Sequence, residues 1–517
     1  MTKICFTSTR NNIFNDKKAV HLLETNVFPA YIQSCRWFGG KAYQLKHVEV
    51  EHFMNVPMGI ISTDMWILEV HYHDHTPEYY QIPIIFTEQK PDNEKSIICT
   101  CILENSDGFL TDAAYDQRFQ QAIFENIACQ KKIKQPTGNL QFIKGKGFAE
   151  GENYQSSTFP NLEQSNTSII FNENYFFKLY RKLYRGNNPE LEHLQFLTEH
   201  TTFDQIPQFA GSIIWNRKGI EPVTFGLLMQ KVDAQKDSWS DTGDTLNDFL
   251  HSLPKKEFTV KEYVFERVEL LAKRTAQMHL ALASNKKIKD FAPEHFNTQY
   301  RNWFEHHCQT LLQQRLTLAI QNKHLLDPQG QELADFFIRK KDLIQFFFSL
   351  LKYRRIDSLR TRVHGDYHLG QVLWTGSDYI IIDFEGEPES TITERKFKHS
   401  PLKDVAGMIR SYHYAVCAKL YFSDEAKNIP PEKLLTITDR WYNLIKDIFL
   451  ENYYQTIGKN NALYRSRAEI NFLLLYHLLE KAIYELGYEL NSRPDWVKIP
   501  LKGIQNVVRD IEKTIYE

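Results

Sequence analysis

Two neighbouring blocks constrain this chain more than anything else in it. The first is Val363-His364-Gly365-Asp366-Tyr367-His368-Leu369-Gly370-Gln371-Val372-Leu373-Trp374, and the second is Ile380-Ile381-Ile382-Asp383-Phe384-Glu385-Gly386-Glu387-Pro388. The first block is apolar at its far end and polar in the middle, so Asp366 reads as part of a polar loop. The side-chain amide of Gln371 follows five residues later, and an apolar hairpin returns the chain to Asp383. Phosphoryl transfer needs these three groups. A carboxylate orients the acceptor hydroxyl and takes its proton, while an amide oxygen and a second carboxylate hold Mg2+ against nucleotide phosphates. A chance surface loop and strand carrying acids explain the order and the separation poorly.

At 517 residues the chain is long enough for about two to four structural units. A net charge of −2 supplies no basic field for nucleic acid or a membrane surface. Aromatic content is 13%, enough to line a sugar site, although most such rings fill cores. The seven cysteines include no CxxC pair, which suggests neither a disulfide framework nor a zinc site and fits a reducing compartment. Residues 1–20 carry no apolar signal-type run, and no apolar stretch is long enough to span a bilayer. The expectation is a cytoplasmic protein with neither nucleic acid nor membrane as partner.

Residues 1–95 read as a small α+β unit. The spacing predicts a helix over 18–35, then the turn Arg36-Trp37-Phe38-Gly39-Gly40-Lys41, then alternating strands at 48–53 and 80–86. The polar stretch 87–96 is either a connection between strands or a unit boundary. Residues 96–232 form a mixed unit with a helix over 110–134. Gly145-Lys146-Gly147-Phe148-Ala149-Glu150 is not a dinucleotide fingerprint, because Glu150 stands where the third glycine belongs. No GxxxxGK[ST] occurs, so a Walker-type nucleotide site is excluded.

Lys178 sits between apolar residues on a strand, Tyr175-Phe176-Phe177-Lys178-Leu179-Tyr180. Burying an unpaired ammonium is costly, so it needs an anion, with nucleotide phosphate and the carboxylate of Glu192 as candidates. A strand-edge lysine reaching solvent is the alternative. Ser165, Asn166 and Thr167 in the preceding turn supply N–H and hydroxyl donors for phosphate. The apolar run 225–232 reads as a buried strand. In a two-lobed kinase it is the hinge, which assigns Gln230 and Val232 to adenine, and an ordinary core strand is the other reading.

From 233 to 517 helices dominate, with predicted spans at 262–283, 302–323, 331–353, 402–421, 432–454 and 467–490. His279 reads as a packing or hydrogen-bonding histidine. Lys481, Tyr484, Glu485 and Tyr488 fall at i, i+3, i+4 and i+7 on one helix face, suited to a sugar or to internal salt bridges.

Several separate blocks resemble the maltokinases, relatives of the aminoglycoside phosphotransferases and, more distantly, of protein kinases. They are Arg36-Trp37-Phe38-Gly39-Gly40-Lys41, Glu163-Gln164-Ser165-Asn166-Thr167-Ser168, the two catalytic blocks, Ser400-Pro401-Leu402-Lys403-Asp404-Val405-Ala406-Gly407-Met408-Ile409-Arg410-Ser411, and the 480–496 segment. The resemblance covers residues 36 to 496. Its HLGQ and DFEGEP forms are more specific than the general phosphotransferase pattern, which has Asn where Gln371 stands.

The resemblance implies an α+β, bilobal protein-kinase-like fold, with an N-terminal α+β cap, a mixed β-sheet N-lobe and a mostly α-helical C-lobe. It implies ATP-dependent transfer to the anomeric hydroxyl of maltose, giving maltose 1-phosphate for α-glucan (glycogen) synthesis. A free-standing chain associated with a trehalose synthase is expected. The alternative acceptor is another sugar, such as a hexosamine in a glucosamine kinase-like reaction. In this reading Asp366 is the catalytic base, and His368 supports its loop or touches the transferred group. Gln371 and Asp383 ligate Mg2+, and Lys178 with Glu192 holds ATP. His364, Glu385, Arg410, Lys481, Tyr484 and Tyr488 bind the sugar. Glu385 and Glu387 are open between metal and sugar, and Arg410 between touching sugar and holding Asp366.

Overall fold

Alternating apolar residues along three long N-terminal strands set up the first sheet. The computed structural model describes residues 4–6, 16–58, 61–160, 165–252, 258–459 and 461–516. Glu163 and Gln164, in the block expected to bind phosphate, therefore lie outside the described residues. The chain divides into two units, Met1–Glu199 with Pro207–Val232, and His200–Ile206 with Asp233–Glu517.

In the first unit, β1 (Ile4–Cys5), β2 (Leu45–Met58), β3 (Ile61–Tyr72), β4 (Glu78–Thr87), β5 (Ile97–Leu103) and β6 (Ser106–Asp112) pair in the order β1-β5-β6-β4-β3-β2. Helices α1 (Lys17–Leu22) and α2 (Phe28–Ser34), joined by one π turn, cover this sheet. Their core holds Phe28, Ile32, Trp37, Phe38, Trp66 and Tyr80. The expected boundary at 95 falls inside this sheet. Strands β5 and β6 hydrogen-bond onward to β4, so the polar 87–96 stretch connects strands rather than ending a unit.

The helix expected over 110–134 is α3 (Gln117–Ala128). Leu110 belongs to β6, and Asp116 caps α3 by accepting from the Arg118 N–H at 2.8 Å. The second sheet comprises β7 (Lys132–Gln135), β8 (Gly138–Lys144), β9 (Ser157–Thr158), β10 (Thr167–Phe171), β11 (Tyr175–Leu179), β13 (Phe209–Arg217) and β14 (Ile220–Gln230), ordered β7-β8-β13-β14-β11-β10-β9. Strand β12 (Lys182–Leu183) returns to the first sheet and pairs with β4, and α4 (Pro189–His200) follows.

One core binds the two sheets. Met54, Met65 and Ile67 of the first pack with Phe142, Phe177 and Trp215 of the second around Phe119 and Phe124 of α3. A fully buried ion pair reinforces it, with Arg181 Nη2 2.7 Å from Asp112 Oδ2. The guanidinium also lies 4.9 Å over the Trp37 ring, which gives the aromatic turn at 36–41 its packing role.

The second unit is helical. It contains α5 (Ser238–Ser252), α6 (Glu262–Leu282), α7 (Thr298–Asn322), α8 (Pro328–Arg339), α9 (Lys341–Tyr353), α10 (Ile392–Arg395), α11 (Leu402–Phe422), α12 (Pro431–Ile457), α13 (Arg467–Ser492) and α14 (Lys498–Tyr516). The helix expected over 331–353 is broken at Lys340 into α8 and α9. Small strand pairs join β15 (Lys236–Asp237) to β18 (Val372–Trp374), β16 (Glu294–His295) to β17 (Leu359–Arg360), and β18 to β19 (Tyr379–Ile381). Helix α13 packs against α7, α11 and α14, and α6 against α12. A sheet-rich first unit and a helical second one are the α+β arrangement that the sequence implies. Among the described residues no helix is long and apolar enough to cross a membrane.

Candidate active site

The β18–β19 hairpin fixes how Gln371 and Asp383 meet. Val372 pairs with Ile381, Leu373 with Ile380 and Trp374 with Tyr379, so the residues flanking the hairpin come together. Gln371 Nε2 donates to Asp383 Oδ2 at 3.0 Å, and the Ile382 N–H donates to the Gln371 carbonyl at 3.0 Å. Asp383 has φ of 65°, a left-handed conformation that aspartate adopts more readily than most residues. Amide and carboxylate oxygens are the hard donors Mg2+ takes, and that ion needs only one or two protein ligands beside phosphate and water. The donor set fits the ion.

The Asp366 loop hangs from Asp404, a residue of α11 that sequence reasoning left without a role. Asp404 Oδ2 accepts the His364 N–H at 2.8 Å and Oδ1 accepts the Gly365 N–H at 3.0 Å. His279 supports it, donating from Nε2 to Asp404 Oδ2 at 3.1 Å while its Nδ1 meets the Tyr453 hydroxyl at 2.8 Å. Burial raises the Asp404 carboxyl, but His279, His364 and the loop N–H together hold it below the usual range. The backbone runs tight here. A Cβ on Gly407 would stand 2.6 Å from the Tyr367 carbonyl, so α11 admits only glycine where the loop crosses it. Gly365, at φ of +90°, makes the turn into Asp366.

Asp366 is half-buried between two cationic or polar neighbours. Lys481 Nζ donates to its Oδ1 at 3.2 Å, and His368 Nε2 lies 3.9 Å from Oδ2. Burial pushes the carboxyl up, but Lys481, His368 and His364 outweigh that and hold it below the ordinary carboxylate range. Asp366 is thus an anion at neutral pH.

His368 departs from its catalytic assignment. Its Nδ1 accepts the Gly370 N–H at 3.1 Å, capping the turn Leu369–Gln371, and 3.9 Å to Asp366 is too long for a hydrogen bond. Burial, with Lys481 and His364 nearby, lowers its pKa against the pull of Asp366, which favours the neutral imidazole. His368 positions Gln371.

His364 departs likewise from sugar binding. It is 1% exposed, its Nε2 donates to the Ile382 carbonyl at 2.8 Å, and its ring packs on Phe384. It ties the first block to the second.

Beside the loop, a cavity of about 240 Å3 is lined by Trp303, His307, Gly365, Glu387, Lys403 and Tyr484, among others. Lys481 Nζ reaches Glu387 Oε1 at 3.1 Å, and Lys403 Nζ stands 3.5 Å from Glu387 Oε2. Burial and the Glu387 carboxylate push the Tyr484 hydroxyl up, against Lys481. Trp303 and Lys403 line this cavity and carry no signal of that in the sequence. Trp303 comes from α7, about 60 residues before Gly365, and no local motif marks it.

The helix face of α13 splits in use. Lys481 and Tyr484 face this region, but Tyr488 is exposed and its ring lies 5.3 Å from the Arg493 guanidinium. Arg410 packs inside the helical unit instead of meeting sugar or holding Asp366. It is 2% exposed, donates to Glu485 Oε2 from Nε at 2.9 Å and from Nη2 at 2.6 Å, and contacts His413. Its guanidinium packs so closely on Gly503 that a Cβ there would fall 1.9 Å from Nη1. Arg410 is a buried strut between α11, α13 and α14. Glu385 is half-buried in the second block.

In the first unit, Lys178 finds its carboxylate in Glu190, not Glu192. The Lys178 Nζ contacts are 2.8 and 2.9 Å to the two Glu190 oxygens, and Tyr180 donates to Oε2 at 2.9 Å. Asn188 Oδ1 accepts the Glu190 N–H at 2.8 Å, placing Glu190 in the first turn of α4. Residues two apart on a helix point to different sides, so only one of the two can face β11. Thr167 likewise departs from phosphate binding. It is buried at the start of β10, and its hydroxyl accepts from Arg181 Nε at 2.7 Å instead of being offered to a ligand. Ser165 is exposed and Asn166 half-buried in the turn before it. Gln230 ends β14, its side chain donating to the Gly147 carbonyl at 3.0 Å, and Val232 closes the unit.

Residues 31–116 match the family model of the maltokinase N-terminal cap domain. The chain carries a maltokinase-type cap. The matched span ends just past β6. The chain is 22% identical over 343 residues to a glucosamine kinase of Streptacidiphilus jiangxiensis, covering 66% of this chain and 70% of that protein. It is 31% identical over 141 residues to a glucosamine kinase of Mycolicibacterium smegmatis (strain ATCC 700084 / mc(2)155), covering 26% of this chain and 32% of that one. A solved glucosamine kinase in complex with glucosamine, ADP and inorganic phosphate superposes with a TM-score of 0.66 at 14% identity, over 93% of this chain and 99% of that chain. Another crystal form gives 0.65 at 15% identity, over 95% and 99%. The capped chain and these structures share one fold.

Proposed function

We propose that this protein is an ATP-dependent sugar kinase that phosphorylates maltose at its anomeric hydroxyl, giving maltose 1-phosphate for α-glucan synthesis. Asp366, kept ionised by Lys481, orients the acceptor hydroxyl and takes its proton. Gln371 and Asp383 hold Mg2+, which when bound neutralises charge on the nucleotide phosphates. On the first unit, Lys178, set by Glu190, binds those phosphates, and the end of β14 at Gln230 and Val232 meets the adenine. A trehalose synthase is the partner that belongs with this reading.

The maltose reading is supported by the maltokinase-type cap matched over residues 31–116, and Glu387 is the cavity carboxylate that would meet the sugar. Its carboxylate is held between Lys481 at 3.1 Å and Lys403 at 3.5 Å. Each ammonium is shared, Lys481 with Asp366 at 3.2 Å and Lys403 with Glu480 at 3.6 Å, so Glu387 keeps acceptor oxygens for the hydroxyls of a sugar. The glucosamine kinases that the chain resembles favour a second reading, in which the acceptor is glucosamine.

ADP release with Mg-ATP and maltose, glucosamine or glucose in parallel decides between them. Maltose should be turned over with the highest kcat/KM. Faster turnover of glucosamine establishes the second reading, and ADP release with no sugar overturns both.

A further inference from the structure

A second cluster of ligand-type side chains lies on the edge hairpin of the first sheet. Strands β2 and β3 pair with His47 opposite His71 and Glu49 opposite Glu69. Directly opposed residues, and residues two apart on one strand, share a sheet face, so these four side chains rise together. The imidazoles of His47 and His71 stack with centroids 4.3 Å apart and planes at 14°. His47 Nε2 stands 3.1 Å from Glu49 Oε1, and His71 Nε2 stands 3.6 Å from Glu69 Oε1. The Tyr79 hydroxyl donates to that Glu69 oxygen at 3.0 Å and fixes it.

One ligand atom each from His47, Glu49 and His71 falls within 4.8 Å of the other two. His71 Nε2 is itself buried and has no hydrogen-bond partner, a costly state for an imidazole nitrogen. We propose that His47, Glu49 and His71 bind one divalent transition-metal ion of the Zn2+ type. Two imidazole nitrogens and one carboxylate form a set that zinc accepts, with a fourth position left for water or the nearby Glu69 carboxylate. Glu49 and Glu69 together carry the two negative charges that match a dication. The outer two ligands have room to close on the ion, since the side chains of His47 and Glu49 are 40% and 59% exposed. Bound there, the ion ties the edge strand β2 to β3 across the His47–His71 pair. Hard Mg2+ prefers oxygen ligands and competes poorly for two imidazoles.

The test is calorimetric titration of the full chain with ZnCl2 in excess Mg2+, beside His47→Gln, His71→Gln and Glu49→Gln. The wild type should take one saturable equivalent of Zn2+ more than either histidine variant, or bind it at least about 10–100-fold more tightly, the loss known for outer-shell changes alone. Zn2+ should also raise the melting temperature of the wild type more than that of the variants. Should a histidine variant fold poorly, Glu49→Gln on the exposed edge carries the comparison. Unchanged stoichiometry and affinity across the folded variants, or no saturable Zn2+ binding by the wild type, overturns the proposal.

Discussion

Lys481 Nζ lies 3.2 Å from Asp366 Oδ1 and 3.1 Å from Glu387 Oε1, so a single ammonium links the loop aspartate to the cavity carboxylate. Lys481 is the strongest influence lowering the Asp366 pKa, and burial is the force it opposes. Lys481→Met removes the first and leaves the second, so the carboxyl must rise. Activity that depends on ionised Asp366 then fails at higher pH on the acid side. The kcat/KM profile of Lys481→Met should have its acid limb displaced upward relative to wild type. The sign for stability is the same. A depressed carboxyl contributes stability above its unfolded pKa and loses it as pH falls through the folded one. Superimposable acid limbs would detach Lys481 from Asp366.

Glu190 and Glu192 give a paired test in the first unit. Glu190 is 1% exposed and holds Lys178 with both oxygens. Glu190→Gln releases the ammonium from its setting, and under the proposed function, in which Lys178 binds phosphate, that misplacement costs on the order of 10²-fold in rate. Glu192→Gln leaves both Lys178–Glu190 contacts in place and should cost less than Glu190→Gln. Steady-state kinetics with ATP varied reads both. A larger loss at Glu192 would reinstate it as the lysine's partner.

What the sequence made legible follows from where the determining interactions lie. The Asp366, Gln371 and Asp383 set is local, because a short hairpin alone carries the chain from Gln371 to Asp383. Its reading needed only spacing. The Lys178 partner depended on the starting residue of α4, and a two-residue difference there exchanges one helix face for another. Arg410 looked like a ligand because it is charged and near the blocks, yet its partner Glu485 lies 75 residues away. Asp404 and Trp303 act through similarly distant contacts, which no periodicity reveals. The first sheet outran its expected end at 95 because a polar connection inside a sheet and a polar boundary have the same composition.

Arg410 separates a structural from a sugar-binding role. Breaking a buried, doubly hydrogen-bonded ion pair by removing one partner costs about 3–5 kcal/mol, since the other charge stays buried. Arg410→Met should lose stability on that scale in urea unfolding, and Arg410→Met with Glu485→Leu should recover much of it. The KM for sugar in the folded fraction should remain near wild type. A stable Arg410→Met with a raised sugar KM would return the residue to the acceptor site.

Asp366 and Asp404 bear on one loop in different ways, and the same substitution at each should divide chemistry from architecture. Asp366→Asn keeps shape but removes the anion and the proton acceptor. Losses of that kind are about 10²–10⁴-fold in rate. Nucleotide affinity should be kept, because Gln371 and Asp383 are bonded to each other and not to Asp366. Folding should be kept as well, since the change leaves no cavity and the Asp366 side chain supports no backbone group in its contacts with Lys481 and His368. Asp404→Asn is different. Both carboxylate oxygens accept backbone N–H groups of His364 and Gly365, and one also accepts from His279. An amide has one acceptor atom, so a donor must then face an N–H, and a buried polar group left unmatched costs about 1–3 kcal/mol. The loop that carries Asp366 loosens with it. Asp404→Asn should therefore lower both the melting temperature and kcat, whereas Asp366→Asn should lower kcat alone. Melting curves, nucleotide Kd and kcat measured on the same preparations distinguish the two. A destabilised Asp366→Asn with an unaffected Asp404→Asn would reverse their roles.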